Sequence, residues 1–368
     1  MIWRCDLVPQ YEALKAEIDE AIARVLSSGR YVLGDNVTAF EQEFSAFVGV
    51  RFGIGVNSGT DALIMALRLC DLRPGDEVIT TAFTAIPTYA AIRHVGAVPR
   101  LIDIDADTFL MDVGKVAAAL NERTRAVVPV HLFGNPVDID ALRAVVGPNI
   151  FIVEDCAQAH GATIRGRRVG SIGDFGAFSF YPSKNLGGYG DGGMLVTNRE
   201  HGASAARRQR TYGMINKDEF VEDGVNTRLD ELQAAILRVK LKYLERMNER
   251  RACLAERYRT RLDARHFAAQ AVSPHASSVF HVYSGVCDGK RDELVHDLER
   301  AGIQTNVYYP MPLNCQRGYA GPDAGVRFPV AETVSRSILA LPFYPELPEE
   351  TVDTIAAAVA RFYTAPVC

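Results

Sequence analysis

Residues 176–197 read GAFSFYPSKNLGGYGDGGMLVT, and one lysine, Lys184, stands there among residues of the kind that fold inward. An ammonium ion deprived of water is costly unless it is paired, neutralised or put to chemical use. Lys184 therefore has three readings: a surface lysine on a loop, a salt-bridge partner, or an amine made nucleophilic by desolvation. Two other stretches carry complementary groups. In VNSGTDAL (56–63) an apolar run meets Asn57, Ser58, Gly59 and Thr60 and then a helical pattern. Backbone N–H groups and hydroxyls at a helix start suit a phosphate, although an ordinary N-cap has the same composition. In FIVEDCAQAHGA (151–162) Asp155 closes an apolar run, where a carboxylate needs a cation or several donors. Anion cradle, strand-end carboxylate and reactive amine together suit pyridoxal phosphate (PLP), whose phosphate, pyridine nitrogen and aldehyde answer them in turn.

Other chemistries fit less well. A metal site from Asp155, Cys156, His160 and His131 has no common ligand spacing, and each histidine alone reads as a satisfied structural residue. No metal is expected. GYGDGG (188–193) matches G-x-G-x-x-G, but a dinucleotide loop must follow a strand and open a helix. Here a loop precedes it and the strand-like MLVTN follows, so the nicotinamide reading fails on context.

These residues need a scaffold. Strand-like runs occur at 52–56, 77–81, 98–104, 126–132, 151–155, 176–180 and 194–198, with helical stretches such as 60–69 and 113–121 between them. Runs apolar on both faces and linked by helices indicate an α/β fold with a mostly parallel sheet covered on both sides. After residue 228, Leu232, Ile236, Val239, Tyr243 and Met247 recur at helical spacing and predict one long amphipathic helix. A mixed, proline-rich segment follows. The expected division is a large α/β domain over 1–240 with an N-terminal arm, and a smaller α+β domain over 241–368.

With 368 residues the chain can bury two cores, and a net charge of −5 provides no field for nucleic acid or anionic membrane. The basic run RMNERRACLAERYRTR (246–261) alternates arginine with glutamate, the pattern of a solvated helix face. Seven scattered cysteines without a C-x-x-C pair suit a reducing cytosol rather than a disulfide framework. The first residues lack the apolar stretch of a signal peptide, and no run of about 18 apolar residues spans a bilayer. A cytoplasmic protein is expected.

The motifs VNSGTDAL, EDCAQAHGA, FSFYPSKNLGGYGDGGMLVT, GVNTRLDELQAAIL and YYPMPLN, in this order, resemble the sugar aminotransferases of the DegT/DnrJ/StrS type. The similarity runs from about residue 8 to LPFYPELP (341–348). The resemblance implies PLP-dependent transferase fold type I, with a seven-stranded large domain, and a cofactor cycling through pyridoxamine phosphate. It implies that Lys184 carries PLP as a Schiff base and then shuttles a proton. It places Asp155 on the pyridinium nitrogen, Gln158 near the phenolic oxygen, and Ser58, Gly59, Thr60 and Ser179 at the phosphate. Asn226 would reach the phosphate of a neighbouring subunit, making the active unit a homodimer.

Two departures stand out. The family often has an aromatic residue stacked on the cofactor where this chain has Ala85, so Phe83 is the expected cover. The family's common H-Y-P is Tyr308-Tyr309-Pro310 here, and Asn314 replaces a frequent histidine; Tyr308, Tyr309 and Asn314 are the expected sugar contacts. The K-N-L-G and G-D-G-G turns resemble enzymes that aminate C-3 of a nucleotide-linked keto sugar, with L-glutamate as donor. Competing readings are a 4-keto sugar, a cyclitol or other ketone, a dehydratase, and a silent binding protein. Family dehydratases replace the lysine with histidine, which Lys184 speaks against.

Overall fold

The computed structural model describes residues 1–364. Its main sheet has seven strands: β1 (Phe52–Val56), β2 (Glu77–Thr81), β3 (Val98–Ile102), β4 (Thr124–Val127), β5 (Phe151–Asp155), β6 (Phe175–Ser179) and β7 (Gly193–Thr197). They lie in the order β1-β7-β6-β5-β4-β2-β3, and β7 alone runs against its neighbours. Successive residues feed opposite cores: Ile79, Val127 and Ile152 pack on one face, Val78, Ala126 and Val153 on the other. That two-sided burial is why the strands read as continuous apolar runs. β4 stops before Pro129, which has no N–H for a ladder, so the run expected to reach residue 132 is shorter.

Four helices precede or interleave the first strands: α1 (Val8–Ser28), α2 (Asp35–Val48), α3 (Gly59–Arg68) and α4 (Ile86–His94). The single helix expected beyond residue 228 is two, Glu231–Leu241 and Leu244–Arg261. No glycine or proline marks the break. Ala235, Ile236 and Val239 of the first pack on α1, whereas Leu254 and Tyr258 of the second belong to the C-terminal core. Tertiary packing bends a chain whose periodicity runs straight through.

The C-terminal layer is an antiparallel sheet of β8 (Phe267–Ala269), β9 (Tyr283–Cys287) and β10 (Ile338–Leu341). Leu294, Leu298, Val352 and Ile355 from two flanking helices complete its core. The first residues of the chain dock here too. Ile2 bridges Ile303, donating to the Gly302 carbonyl at 2.7 Å and accepting from Gln304 N–H at 2.9 Å.

Candidate active site

In open α/β sheets, ligands collect beyond the carboxyl ends of the strands. Here β1, β2, β5 and β6 end at one edge, and β7, running backwards, begins there. A cavity of about 260 Å³ opens at this edge, walled by Ser58, Gly59, Thr60, Thr88, Asp155, Gln158, Ser179 and Lys184 among others. Ser58 caps α3, its Oγ accepting from Asp61 N–H at 3.1 Å. The N–H groups of Gly59 and Thr60 have no partner among the described residues. Free amides at a helix start, beside the hydroxyls of Thr60 and Ser179, form an anion seat. Gly59 is required there: a Cβ at this position would lie 2.5 Å from Ser179 Cβ.

Asp155 is 5% exposed at the end of β5. Its Oδ2 accepts from the Thr88 hydroxyl at 2.9 Å and its Oδ1 from Ala157 N–H at 3.1 Å. Burial pushes this carboxyl up, against the pull of those donors and of Lys184. Lys184 keeps some accessible surface because it lines a cavity, yet protein surrounds it. That desolvation lowers its amine to about 8, with the charge of Asp155 opposing. Gln158 accepts from Phe133 N–H at 2.8 Å and donates to Tyr309 Oη at 3.1 Å. It thereby secures a turn in which Phe133 has left-handed backbone (φ 60°), uncommon for a bulky residue.

Lys184 and Gln158 also line a second cavity, of about 190 Å³, reaching toward the C-terminal layer through Tyr308, Tyr309, His281 and Arg4. A desolvated amine thus stands between a chamber with free helix-start amides and a vestibule. The chain matches the DegT/DnrJ/EryC1/StrS aminotransferase family over residues 12–360. It belongs to that family. It is 44% identical to the dTDP-3-amino-3,4,6-trideoxy-alpha-D-glucose transaminase of Streptomyces venezuelae, over 97% of this chain and 95% of that protein. The crystal structure of S. venezuelae DesV in complex with a ketimine intermediate superposes with a TM-score of 0.95. That chain is 42% identical, and 98% of each chain is covered. NtdA of Bacillus subtilis, solved with bound pyridoxamine phosphate, superposes with a TM-score of 0.87 at 30% identity, covering 94% of this chain and 82% of that one.

Aminotransferases of this family use PLP, and the chamber fits it. The unpartnered amides suit a phosphate, the buried carboxylate a ring nitrogen that carries a proton, and the desolvated amine an aldehyde. Ser58, Gly59, Thr60, Asp155, Gln158, Ser179 and Lys184 stand together around it. Phe83 does not. Its ring is 1% exposed in the core, edge-on to Tyr309 at 5.8 Å, and Ala85, Val130 and Ala157 face the chamber instead. The backbone turn after β2 aims residue 83 inward, so among the described residues no phenylalanine lines this space. Tyr308 and Tyr309 line the vestibule, but Asn314 lines neither space and donates to the Val326 carbonyl at 2.7 Å. Asn226 is exposed and absent from both walls.

Several lining residues carried no signal in sequence. Thr88 is one of two threonines in FTAIPTYAAI, and Asp191 sits among the glycines of GYGDGG. Arg4 and His281 come from segments without a motif. Behind the site, His131, Glu154 and Cys156 lie close enough to share an ion. His131 Nδ1 accepts from Val137 N–H at 3.0 Å, so its proton sits on Nε2, 3.0 Å from Glu154 Oε2. Glu154 also takes the N–H groups of Gly170, Ile172 and Gly173, a structural clasp. His160 is packed against Phe44, Phe178 and Phe180 beside the Ser179 backbone, and burial lowers it to about 3.

Proposed function

We propose that the chain transfers an amino group from L-glutamate to the C-3 keto group of a nucleotide-linked deoxy-keto sugar, in amino-sugar biosynthesis. One observation carries the reading: Lys184, its amine lowered to about 8, shares a chamber with the Asp155 carboxylate and the unpartnered amides of Gly59 and Thr60. The name of the S. venezuelae relative puts the nitrogen on C-3 of a dTDP-linked sugar, and the Asn185–Gly188 turn supports the same position.

PLP, when bound, supplies an electron sink and a temporary carrier for nitrogen. The chain's own groups do the rest. At neutral pH an amine lowered to about 8 is partly unprotonated, which fits Lys184 Nζ to hold the aldehyde carbon and afterwards to move the proton at the substrate carbon. Asp155, fixed by Thr88 and Ala157, would keep a proton on the ring nitrogen. Gln158 would face the ring's oxygen, while Ser58, Gly59, Thr60 and Ser179 would hold the phosphate. Tyr308 and Tyr309 place the sugar at the vestibule.

The active unit in this reading is a homodimer, supported by Asn226, which is exposed and lines neither cavity of its own chain, as suits a residue reaching a partner's phosphate seat. A division into two domains near residue 240 is supported by the break at Lys242 and Tyr243 between two helices. A cytoplasmic location is supported by the thiols, free at Cys5, Cys70, Cys156, Cys253, Cys287 and Cys315; Cys368 lies outside the described residues. Among the described residues no helix is long and apolar enough to cross a membrane.

The test is the visible spectrum of the PLP-loaded protein before and after L-glutamate, followed by nucleotide-linked 3-keto and 4-keto sugars. A band that glutamate abolishes and only a 3-keto sugar restores supports the proposal. Turnover with 4-keto sugars alone overturns the C-3 assignment, and a protein that binds no PLP overturns the whole reading.

A further inference from the structure

The vestibule has an unusual charge balance. Its walls hold two cations, Arg4 and Lys184, and no carboxylate. His281 adds no third charge. Both N–H groups of the Asn185 amide are spent, on Asn248 Oδ1 and the Val279 carbonyl, each at 2.9 Å. Its oxygen therefore faces His281 Nδ1 at 3.2 Å, which must donate, leaving Nε2 a neutral acceptor. Burial and the nearby charge of Lys184 hold this imidazole well below its ordinary proton affinity. Once Lys184 holds the cofactor, Arg4 is the fixed positive charge of the space.

Arg4 is also held in place. Its N–H donates to Gln304 Oε1 at 3.1 Å and its carbonyl accepts from Phe343 N–H at 3.0 Å, next to the bridge that ties Ile2 to Ile303. Its Nη1 donates to Tyr308 Oη at 2.6 Å, and it makes no ion pair among the described residues. The remaining guanidinium N–H groups are therefore available at the wall of a cavity that also contains the reactive amine. Tyr308 stands where the resembling family commonly has histidine, so anchor and anchoring residue change the same contact surface.

We propose that Arg4, steered by the Tyr308 hydroxyl, is a specificity residue that receives a carboxylate on the molecule reacting at Lys184. The assignment rests on the aminotransferase reading above. A guanidinium presents a planar fork that matches a carboxylate. At about 190 Å³ the vestibule is below the ~300–1,000 Å³ of pockets that enclose a drug-sized ligand, so a small acid or one sugar ring fits it and a nucleotide does not. The carboxylate has two sources: the amino donor, or an acidic sugar acceptor.

The experiment separates them with half-reactions of the PLP-loaded protein and of Arg4→Gln, Arg4→Lys and Tyr308→Phe variants. L-Glutamate is titrated against the visible band. In a second arm the pyridoxamine form is titrated with a nucleotide-linked 3-keto sugar bearing a C-6 carboxylate, and with its neutral counterpart. Arg4→Gln is expected to raise the half-saturating concentration on the order of ten- to a hundredfold in one arm, with the band position and its pH midpoint unchanged. Arg4→Lys regains part of the loss, and Tyr308→Phe shows a smaller loss in the same arm. A loss with glutamate assigns the donor carboxylate; a loss confined to the acidic sugar assigns the acceptor's. Unchanged titrations in both arms overturn the proposal and leave the proposed function standing. A wild-type protein without a PLP band, or with one indifferent to glutamate and sugars, overturns that function and the Arg4 assignment with it.

Discussion

The chamber beside Asp155 takes its walls from strand ends along one edge of the sheet, whereas the vestibule beside Arg4 adds Arg4, His281, Tyr308 and Tyr309 to Gln158 and Lys184 from that edge. In the chamber, donors are set by local geometry: a helix start, a strand end, a turn. In the vestibule, side chains meet only because a docked N-terminal segment and the C-terminal layer converge on the sheet's edge. The difference separates two tasks. In the proposed function, the groups assigned to the cofactor rest on rigid backbone, and those assigned to selecting the reacting molecule hang on connections that alter without disturbing the sheet.

The sharpest way to break this contrast is to empty the chamber of its amine. Lys184→Ala is expected to abolish transamination and the lysine-linked visible band; appreciable turnover in a rate assay would remove Lys184 from its role. Asp155→Asn is next. Loss of a buried charge partner costs about 3 kcal/mol or more, so kcat/KM is expected to fall roughly a hundredfold or more, with the vestibule's substrate preferences intact. Thr88→Val deletes one hydrogen bond to that carboxylate and is expected to lower kcat/KM about tenfold, near 1.5 kcal/mol. A variant indistinguishable from wild type would show that Ala157 N–H alone fixes Asp155.

The two buried lysines sharpen the comparison further. Lys184 and Lys240 are both lowered to about 8, chiefly by burial. Lys240, however, donates to the Gly187 carbonyl and lies over the Tyr189 ring, outside both cavities. Because the unprotonated amine is the nucleophile, the rate at which the cofactor-free protein captures PLP is expected to rise about tenfold between pH 7 and 9 with a midpoint near 8. A stopped-flow profile flat over that range would contradict the lowered amine. Lys240→Met carries the smallest expected effect, a few-fold change in capture rate with the midpoint unmoved, since Asp155 and burial set the affinity of Lys184 and Lys240 does not. A shifted midpoint would make the two amines one coupled unit.

What sequence revealed follows the same line. Lys184, Asp155 and the Asn57–Thr60 turn each border an apolar run, so the strand ends betray them. The sheet was legible for the same reason, with strand limits within two residues except at β4, which Pro129 cuts short. Thr88 was not, because its significance is its distance from a residue 67 positions away. Arg4 and His281 lie in stretches without periodicity, and their meeting depends on how the N-terminal segment docks. The break at Lys242–Tyr243 left no mark, since both halves keep helical spacing and only their packing partners differ. Phe83 misled because hydrophobic type does not say which way a turn points a ring.

The backward run of β7 bears on how the protein comes to be made. Strands β6 and β7 are antiparallel neighbours, so the segment bearing Lys184 is the tip of a hairpin-like excursion whose ends meet at Ser179 and Gly193. Closing so short an arc sacrifices little chain entropy and does not wait for distant parts of the polypeptide. Bringing Thr88 to Asp155 does. The arc that carries the amine can therefore close on its own, while the pocket that makes it selective is completed only when the sheet closes around β5, and capture of the cofactor becomes a report on finished folding.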